Sequence, residues 1–382
     1  MDIPITKPYF NSSEIEAVRD VILSGWVVQG PKVREFEALF KRFQNSKFAL
    51  ALNSATSGLY LALKALDIKN RDEVIIPSFT HPATANVVVN VGAIPVFVDI
   101  KLPEFTIAPY EIEKKITNKT RAIIPVHIFG LSAEMDKILE IAKEYNLYVI
   151  EDAACAHGTE YKGKKVGTIG DCGVFSFHPR KPITTGEGGM FVTDIEELAY
   201  KVEILRNHGE SISDELRHKS ESIIYPDYYL PGFNFRMTDI QGAIGVEQIK
   251  KISFIIDEKR KIANIYNELL IELEQKGYLI LPYEPKDMLH TYQSYVILLT
   301  EKVNISRDRL SNKLKDKGIS TRKGTYNVPM TRFYRERFSF KKSDFPNAEI
   351  ADKNSLALPS YIGIKGEEID YVISNLKNLI IG

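Results

Sequence analysis

Three polar segments of the chain each follow or precede an apolar stretch and carry residues suited to cofactor chemistry. Small and hydroxyl residues fill positions 53–58 ahead of a predicted helix, whose first N–H groups and positive dipole end could bind a phosphate. Asp152 ends an apolar run, so its carboxylate could hold a protonated heterocyclic nitrogen. Lys181 follows the apolar run 174–177, and its amine could form an imine with a carbonyl carbon.

Each segment also has an ordinary structural interpretation. Thr56 or Ser57 could simply cap its own helix, Asp152 could cap a loop, and a lysine after a strand is normally solvated. Together, however, the three segments supply a phosphate site, an acid for a ring nitrogen and an imine-forming lysine. These are the requirements of pyridoxal 5'-phosphate (PLP).

The sequence offers little support for competing cofactors or nucleophiles. It contains no P-loop, no dinucleotide-binding glycine motif after a strand, no HExxH and no GxSxG. The two cysteines, Cys155 and Cys172, do not form a C-x-x-C pair, so no metal site is predicted. PLP chemistry therefore remains the best-supported interpretation of the residues.

Alternating strand and helix patterns must position these segments. Apolar runs rich in β-branched residues alternate with helical patterns, which predicts a mainly parallel sheet covered on both faces. Ligands of such α/β sheets bind at the carboxyl ends of the strands. The predicted strands lie at 74–76, 96–98, 122–126 and 147–150, and the predicted helices at 11–23, 58–66 and 133–145.

The second part of the chain predicts a smaller unit. A helical pattern over 238–276 is long enough to bridge two domains, and a shorter α/β pattern follows it. The sequence therefore predicts a large cofactor-binding domain, residues 1–250, and a small C-terminal domain, residues 251–382.

The composition excludes several classes of protein. Fifty Lys and Arg balance fifty Asp and Glu, so neither a nucleic-acid partner nor a polybasic membrane surface is expected. The most apolar window, Ala85–Val98, is too short to span a bilayer, and the first residues show no signal-peptide pattern. A cytoplasmic location is predicted.

Longer segments resemble the DegT/DnrJ/EryC1/StrS family of PLP-dependent nucleotide-sugar aminotransferases. The resemblance extends over essentially the whole chain, and FSFHPRK followed by TTGEGG is its most specific part. The segments that carry it are GWVVQGPKVREFE (25–37), NSATSGLYLAL (53–63), PSFTHPATAN (77–86), VIEDAACAHG (149–158), FSFHPRKPITTGEGGM (175–190), RNHG (206–209), PGFNFRMTDIQGAIG (231–245), HTYQSYVI (290–297), TRKGTYNVPM (321–330) and FPNAEIADKNSLALPSY (345–361).

This resemblance implies a fold, an assembly and a set of residue roles. The implied fold is the aspartate aminotransferase-like PLP-dependent transferase fold, type I, in a homodimer with active sites shared at the subunit interface. Lys181 matches the lysine that binds PLP as a Schiff base, Asp152 the partner of the pyridine nitrogen, and His81 the ring that stacks on the cofactor. Thr56, Ser57 and Ser176 match phosphate-binding positions, and Asn234 matches an asparagine that reaches the phosphate from the neighbouring subunit.

Two positions depart from the family pattern. Cys155 stands where many members have Gln or His near the phenolic oxygen of the cofactor, so that hydrogen bond is expected to be weaker or replaced by water. His81 stands where Phe, Tyr or Trp is frequent, and an imidazole can also form hydrogen bonds or titrate.

The resemblance also implies the substrates. L-glutamate is the implied amino donor and a nucleotide-linked 4-keto-6-deoxyhexose the implied acceptor, with the greatest likeness to perosamine-type synthases, which act at C4 of the sugar. Arg236, Arg322 and Lys323 are candidate acceptor contacts, or alternatively surface or interface ion pairs. Two other functions stay open: another PLP reaction such as dehydration or decarboxylation, and a PLP-binding regulator without turnover.

Overall fold

Strands and helices alternate along most of the protein, whose computed structural model describes residues 1–210 and 225–381. The helices are α1 (Ser12–Ser24), α2 (Pro31–Gln44), α3 (Ala55–Ala65), α4 (Pro82–Asn90), α5 (Pro109–Ile112), α6 (Met135–Tyr145), α7 (Glu196–Arg206), α8 (Asp239–Lys250), α9 (Ile252–Gln275), α10 (Arg307–Asp316), α11 (Arg332–Phe338), α12 (Pro346–Asn354) and α13 (Gly366–Ile381). The strands are β1 (Phe48–Leu52), β2 (Glu73–Pro77), β3 (Phe79–Thr80), β4 (Ile94–Val98), β5 (Thr120–Ile123), β6 (Tyr148–Asp152), β7 (Glu160–Tyr161), β8 (Lys164–Lys165), β9 (Cys172–Ser176), β10 (Gly189–Thr193), β11 (Leu279–Ile280), β12 (Met288–Leu289), β13 (Tyr295–Leu299), β14 (Arg322–Lys323), β15 (Tyr326–Asn327) and β16 (Ser355–Leu358).

The largest sheet has seven strands in the order β1-β10-β9-β6-β5-β2-β4. Strands β4, β2, β5, β6 and β9 are parallel, while β10 is antiparallel to both β9 and β1. Every residue of β9 and β10 is buried, because helices cover both faces of the sheet. The predicted mainly parallel sheet is confirmed.

Helices pack on the two faces of this sheet in separate hydrophobic cores. On one face, α3 and α4 bury Leu59, Leu63 and Val87. On the other, α2 and α6 bury residues such as Phe40 and Ile138. Asp152 ends the central strand β6, and the turn to Lys181 follows the central strand β9. The cores on both faces of the sheet therefore fix the backbone near these two residues.

A smaller antiparallel sheet, with the order β11-β13-β16-β14, follows in the C-terminal part of the chain. It packs with α10, α13 and the second half of α9, where Tyr266 and Leu270 are buried. The first half of α9 contributes Ile255 to the core of the large sheet. The helix therefore spans two cores, as its predicted length suggested.

The prediction of one continuous helix over 238–276 was wrong at Lys251. Its capping box between Thr238 and Gln241 is present, but the helix divides at Lys251 into α8 and α9. The Lys251 N–H donates to the carbonyls of Gln248 and Ile249, which tightens the last turn of α8, and its ammonium bonds Glu14 of α1. The predicted domain boundary near residue 250 falls at this junction.

Helix α1 begins and ends where the sequence predicts, with Asn11 in a capping box and Gly25 at φ +74°. Its apolar residues, however, do not all face the core. Ile15, Ile22 and Leu23 are 72%, 57% and 77% exposed, whereas Val21 is buried. One apolar face of α1 is thus uncovered in the single chain. Among the helices in the described ranges, none has both the length and the apolar character needed to cross a membrane.

Candidate active site

A cavity of about 280 Å³ lies beyond the carboxyl ends of β6 and β9. It is bounded by the large sheet, by the beginnings of α3 and α4, and by β14 of the small sheet. Most of the site residues predicted from the sequence meet here, although they come from distant parts of the chain. Those that line it are Thr56, His81, Asp152, Cys155, Ser176, Lys181, Arg322 and Lys323.

Lys181 reaches this cavity from a tight turn that follows β9. Its N–H donates to the His178 carbonyl at 2.8 Å, and the Thr184 hydroxyl donates to the Phe177 carbonyl at 2.7 Å. These bonds fix the backbone on either side of the lysine. Its Nζ lies 3.0 Å from Sγ of Cys155, so the amine points toward the cavity wall that carries the cysteine.

Asp152 ends the central strand β6 and is only 5% exposed. The Thr84 hydroxyl donates to its Oδ2 at 2.7 Å, and the Ala154 N–H donates to its Oδ1 at 3.2 Å. Both oxygens are thereby oriented. Sequence reasoning missed Thr84, since nothing in its position in the first turn of α4 indicates a partner on β6.

Glu151, the neighbour of Asp152 on β6, points away from the cavity, because successive side chains of a strand point to opposite faces of the sheet. Glu151 is fully buried and its carboxylate accepts four hydrogen bonds. The donors are the N–H groups of Gly167 (2.6 Å), Ile169 (2.7 Å) and Gly170 (2.7 Å), and Nε2 of His127 at 2.9 Å. Glu151 thus holds the loop before β9 and takes no part in the cavity.

Replacing Glu151 should destabilise the protein without removing a group from the cavity. Because its buried carboxylate accepts four hydrogen bonds, we expect Glu151→Gln to lower the free energy of unfolding by about 2–3 kcal/mol and Glu151→Ala by about 3–5 kcal/mol. Urea unfolding of the apoprotein would measure both, with the exposed Glu16→Gln as control. A loss below about 1 kcal/mol in Glu151→Ala would contradict this scaffolding role.

The predicted phosphate segment begins the helix α3, three residues earlier than the sequence suggested. Ser54 is the N-cap, and its hydroxyl accepts from the Ser57 N–H at 3.1 Å. Thr56 and Ser57 therefore lie within the first turn rather than capping it. Ser57 does not line the cavity, and its hydroxyl donates to Asn53 at 2.5 Å.

This helix start suits an anion such as a phosphate group. The first-turn N–H groups of a helix have no intrahelical acceptor, and the hydroxyls of Thr56 and Ser176 line the same cavity. Gly189 of β10 passes close behind the helix start, where a Cβ would lie 2.4 Å from the Ser54 backbone. A glycine is therefore needed for the strand to approach this turn so closely.

His81 is the N-cap of α4, and its Nδ1 accepts from the Ala83 N–H at 3.2 Å. Nδ1 must be unprotonated to accept this bond, so the ring proton lies on Nε2. Burial, and next the nearby Lys181 ammonium, lower the pKa of His81 below its usual range, against the opposite effect of Asp152. The imidazole is therefore a neutral ring at the cavity wall, with its edge toward Tyr326.

The remaining predicted contacts divide into two groups. Arg322 and Lys323 line the cavity from β14, and Lys323 also forms an ion pair with Asp352 at 2.9 Å. Asn234 and Arg236 do not line the cavity of their own chain. Both lie beside Asn207, which forms a backbone bridge with Asn234 and accepts a hydrogen bond from Arg236.

Within residues 1–210 and 225–381, no group of three His, Cys, Asp or Glu side chains is arranged to hold a metal ion. The cavity instead brings together an amine, a buried carboxylate and the start of a helix. Such a set can hold an anionic, positively polarised heterocycle and place an amine beside it.

Comparison with known proteins agrees with this arrangement. The sequence pattern described as the DegT/DnrJ/EryC1/StrS aminotransferase family matches residues 8–377. The spore coat polysaccharide biosynthesis protein SpsC of Bacillus subtilis is 38% identical over 100% of this chain and 97% of its own.

Two solved structures are similar over the full length. Spr1654 of Streptococcus pneumoniae, described as a sugar aminotransferase and solved in its PMP form, has a TM-score of 0.93 at 27% identity, covering 100% of this chain and 99% of that one. PseC of Helicobacter pylori, an aminotransferase involved in the biosynthesis of pseudoaminic acid, has a TM-score of 0.92 at 28% identity and covers 100% of both chains.

Proposed function

The chain belongs to the DegT/DnrJ/EryC1/StrS aminotransferase family, and on that premise we propose that it transfers the amino group of L-glutamate to a nucleotide-linked keto-sugar. Its fold is the PLP-dependent transferase fold of type I, its cofactor is PLP, and its activity is that of a sugar aminotransferase. The observation that carries the choice of reaction is the meeting of Lys181, Asp152 and the start of α3 in one cavity.

The residues of the cavity suit PLP chemically. We propose that the start of α3 binds its phosphate through Thr56, together with the Ser176 hydroxyl. The proposed role of Ser57 is to hold this turn, since its N–H donates to Ser54 and its hydroxyl to Asn53. Lys181 is the proposed site of covalent attachment and Asp152 the proposed partner of the pyridine nitrogen. The proposed neighbours of the ring are the neutral imidazole of His81 and, near the phenolic oxygen, Cys155.

The protein's own groups then do two kinds of work. When bound, PLP accepts electrons from the carbon beside the substrate nitrogen. The Lys181 amine is a positioned base and acid that moves a proton at that carbon. The Asp152 carboxylate, oriented by Thr84 at 2.7 Å, favours positive charge on an adjacent ring nitrogen.

The proposed acceptor is a nucleotide-linked 4-keto-6-deoxyhexose, aminated at C4 as by perosamine-type synthases, for the synthesis of deoxyamino sugars of surface polysaccharides. SpsC, named for spore coat polysaccharide biosynthesis, supports this class of product. Of the three basic residues predicted from the sequence as acceptor contacts, Arg236, Arg322 and Lys323, we propose Arg236 and Lys323 for that role. Lys323 would then share its charge between the acceptor and Asp352, with which it pairs.

A homodimer with shared active sites is also proposed. Asn234 and Arg236 lie outside the cavity of their own chain, which is where residues that serve a neighbour's cavity would lie. The exposed Ile15, Ile22 and Leu23 of α1 form an apolar face that a second copy could cover. The proposed location is the cytoplasm, where free thiols such as those of Cys155 and Cys172 stay reduced.

The amino donor can be tested by spectroscopy of the holoenzyme. We expect L-glutamate to replace the visible absorption of bound PLP by the near-ultraviolet absorption of pyridoxamine phosphate, while D-glutamate leaves it unchanged. A nucleotide-linked 4-keto-6-deoxyhexose should then restore the visible band and yield an amino sugar by mass spectrometry. A visible band that persists in L-glutamate would contradict the proposed donor, and release of carbon dioxide would favour a decarboxylation instead.

A further inference from the structure

The walls of the cavity carry more positively charged than negatively charged side chains. Counting only Arg, Lys, Asp and Glu, four basic and two acidic side chains line it. They are Arg180, Lys181, Arg322 and Lys323 on the one hand, and Asp152 and Glu187 on the other.

Two of the basic groups have no acidic partner among the residues that the structure describes. Lys323 pairs with Asp352 at 2.9 Å, and Lys181 is the proposed site of PLP attachment. Within the described ranges 1–210 and 225–381, neither Arg180 nor Arg322 forms an ion pair, and no carboxylate contributes to the field that acts on Arg322. Burial, followed by the nearby Arg180 guanidinium, lowers the pKa of Arg322.

Arg322 also has a hydrogen-bonding group without a partner. Its Nε is buried and donates to no described residue. Leaving a donor of a charged side chain unpaired in the interior costs about 1–3 kcal/mol or more. The half-buried guanidinium of Arg322, with its buried free donor, and the exposed guanidinium of Arg180 beside the same cavity form a site that an anion would complete.

The space beside these arginines suits a small anionic group. A side cavity of about 20 Å³ opens there and is lined by Arg180, Gln293 and Arg322, which it shares with the main cavity, and by Ile5, Thr6 and Ser360. One water molecule needs about 10–15 Å³ of such space. This side cavity therefore has room for a small group such as a carboxylate, while the main cavity, which the same arginines line, has room for the rest of a ligand.

The wall of the side cavity is held in place by Gln293. Its Nε2 donates to the Arg180 carbonyl at 2.7 Å, and its Oε1 accepts from the Ser294 hydroxyl at 3.1 Å. The carbonyl that it binds belongs to the residue directly before Lys181. Gln293 thus ties the loop before β13 to the turn of the proposed reacting lysine.

We propose that Arg180 and Arg322 together form the binding site for the α-carboxylate of the amino donor, which assigns Arg322 to the donor rather than to the acceptor. This assignment rests on the proposed function, in which the donor is an amino acid. An α-carboxylate is one bond from the carbon that reacts at Lys181, whereas the nucleotide phosphates of a sugar aminated at C4 lie across the pyranose ring. Guanidinium groups bind carboxylates through paired N–H donors.

The test compares Arg322→Gln and Arg180→Gln with the wild-type holoenzyme, and uses Arg332→Gln on the exposed face of α11 as the matched control. We expect the L-glutamate concentration that gives half-maximal conversion of PLP to rise about 10- to 100-fold in each cavity variant and to stay unchanged in the control. A change below threefold in both cavity variants, with PLP still bound, would overturn the assignment.

A second measurement needs no turnover. Glutarate, an unreactive dicarboxylate, should perturb the absorption of bound PLP in the wild type and in Arg332→Gln, but at least about tenfold less tightly in Arg322→Gln. If L-glutamate fails to react with the wild type, the proposed donor is wrong, yet an Arg322-dependent response to glutarate still supports a carboxylate site. An Arg322-dependent response to UDP without one to glutarate would assign the pair to nucleotide phosphates and overturn the proposal.

Discussion

Replacing Lys181 by alanine should reduce aminotransfer by at least about 10³-fold, because the change removes both the point of covalent attachment and the amine that moves the proton. The free energy of unfolding should change little, since the Lys181 side chain is half-buried and its ammonium hydrogen-bonds to Cys155. The measurement is single-turnover conversion of PLP by L-glutamate, together with mass spectrometry after borohydride reduction. Reduction should fix PLP on the peptide that contains Lys181 in the wild type but not in Lys181→Ala.

Lys164→Ala provides the matched control for that experiment, because Lys164 is an exposed lysine on β8. It should keep wild-type rates and the same reduced peptide. If Lys181→Ala retained more than about a tenth of the wild-type rate, the amine could not be the group that moves the proton. If borohydride fixed PLP on another lysine, the proposed attachment site would be wrong.

The second large effect is expected for Asp152→Asn. The amide keeps the shape of the side chain and can still accept from Thr84, but it loses the charge that favours a protonated ring nitrogen. A carboxylate within about 4–6 Å raises the pKa of a ring nitrogen by about 1–3. Without that charge, the glutamate half-reaction should slow by about 10- to 10³-fold. Stopped-flow absorbance of PLP conversion would measure this rate at saturating L-glutamate.

Thr84→Val separates the charge of Asp152 from its orientation. The valine has nearly the shape of threonine and removes the donor to Oδ2 that lies 2.7 Å away, while the Ala154 N–H remains at 3.2 Å. We expect its effect to stay within about tenfold. A rate for Asp152→Asn within threefold of the wild type would show that this carboxylate does not face the ring nitrogen.

The cofactor segments could be predicted because their signals are local. Asp152 and Lys181 each follow an apolar run, and such runs become the buried central strands β6 and β9. Carboxyl ends of neighbouring parallel strands meet at one edge, so a polar residue after each strand predicts a shared site. The antiparallel insertion of β10 between β1 and β9 does not disturb that edge.

The exact start of α3 could not be predicted, because four candidate capping residues stand within five positions. Asn53, Ser54, Thr56 and Ser57 can all accept a first-turn hydrogen bond. Ser54 becomes the cap, while Ser57 is turned back to Asn53 by a bond of 2.5 Å. Local preference alone does not separate such close competitors, and the packing of β10 against the turn takes part in the outcome.

Contacts made across the fold were also beyond the sequence. Glu151 and Asp152 are adjacent acids, and alternation along a strand predicts only that they point to opposite faces, not which of them meets the cavity. Whether Arg322 and Arg180 line the same cavity depends on how the small sheet lies against the large one. No local pattern marks either residue as the neighbour of the other.

Helix α9 has a consequence for how the molecule comes apart. Ile255 in its first half is buried with the large sheet, and Tyr266 and Leu270 in its second half are buried with the small sheet. A helix that loses its packing is only marginally stable in water, so melting one core would leave half of α9 without support and weaken the other. The two cores are therefore expected to unfold together. Heat or denaturant that opens one sheet also destabilises the other sheet.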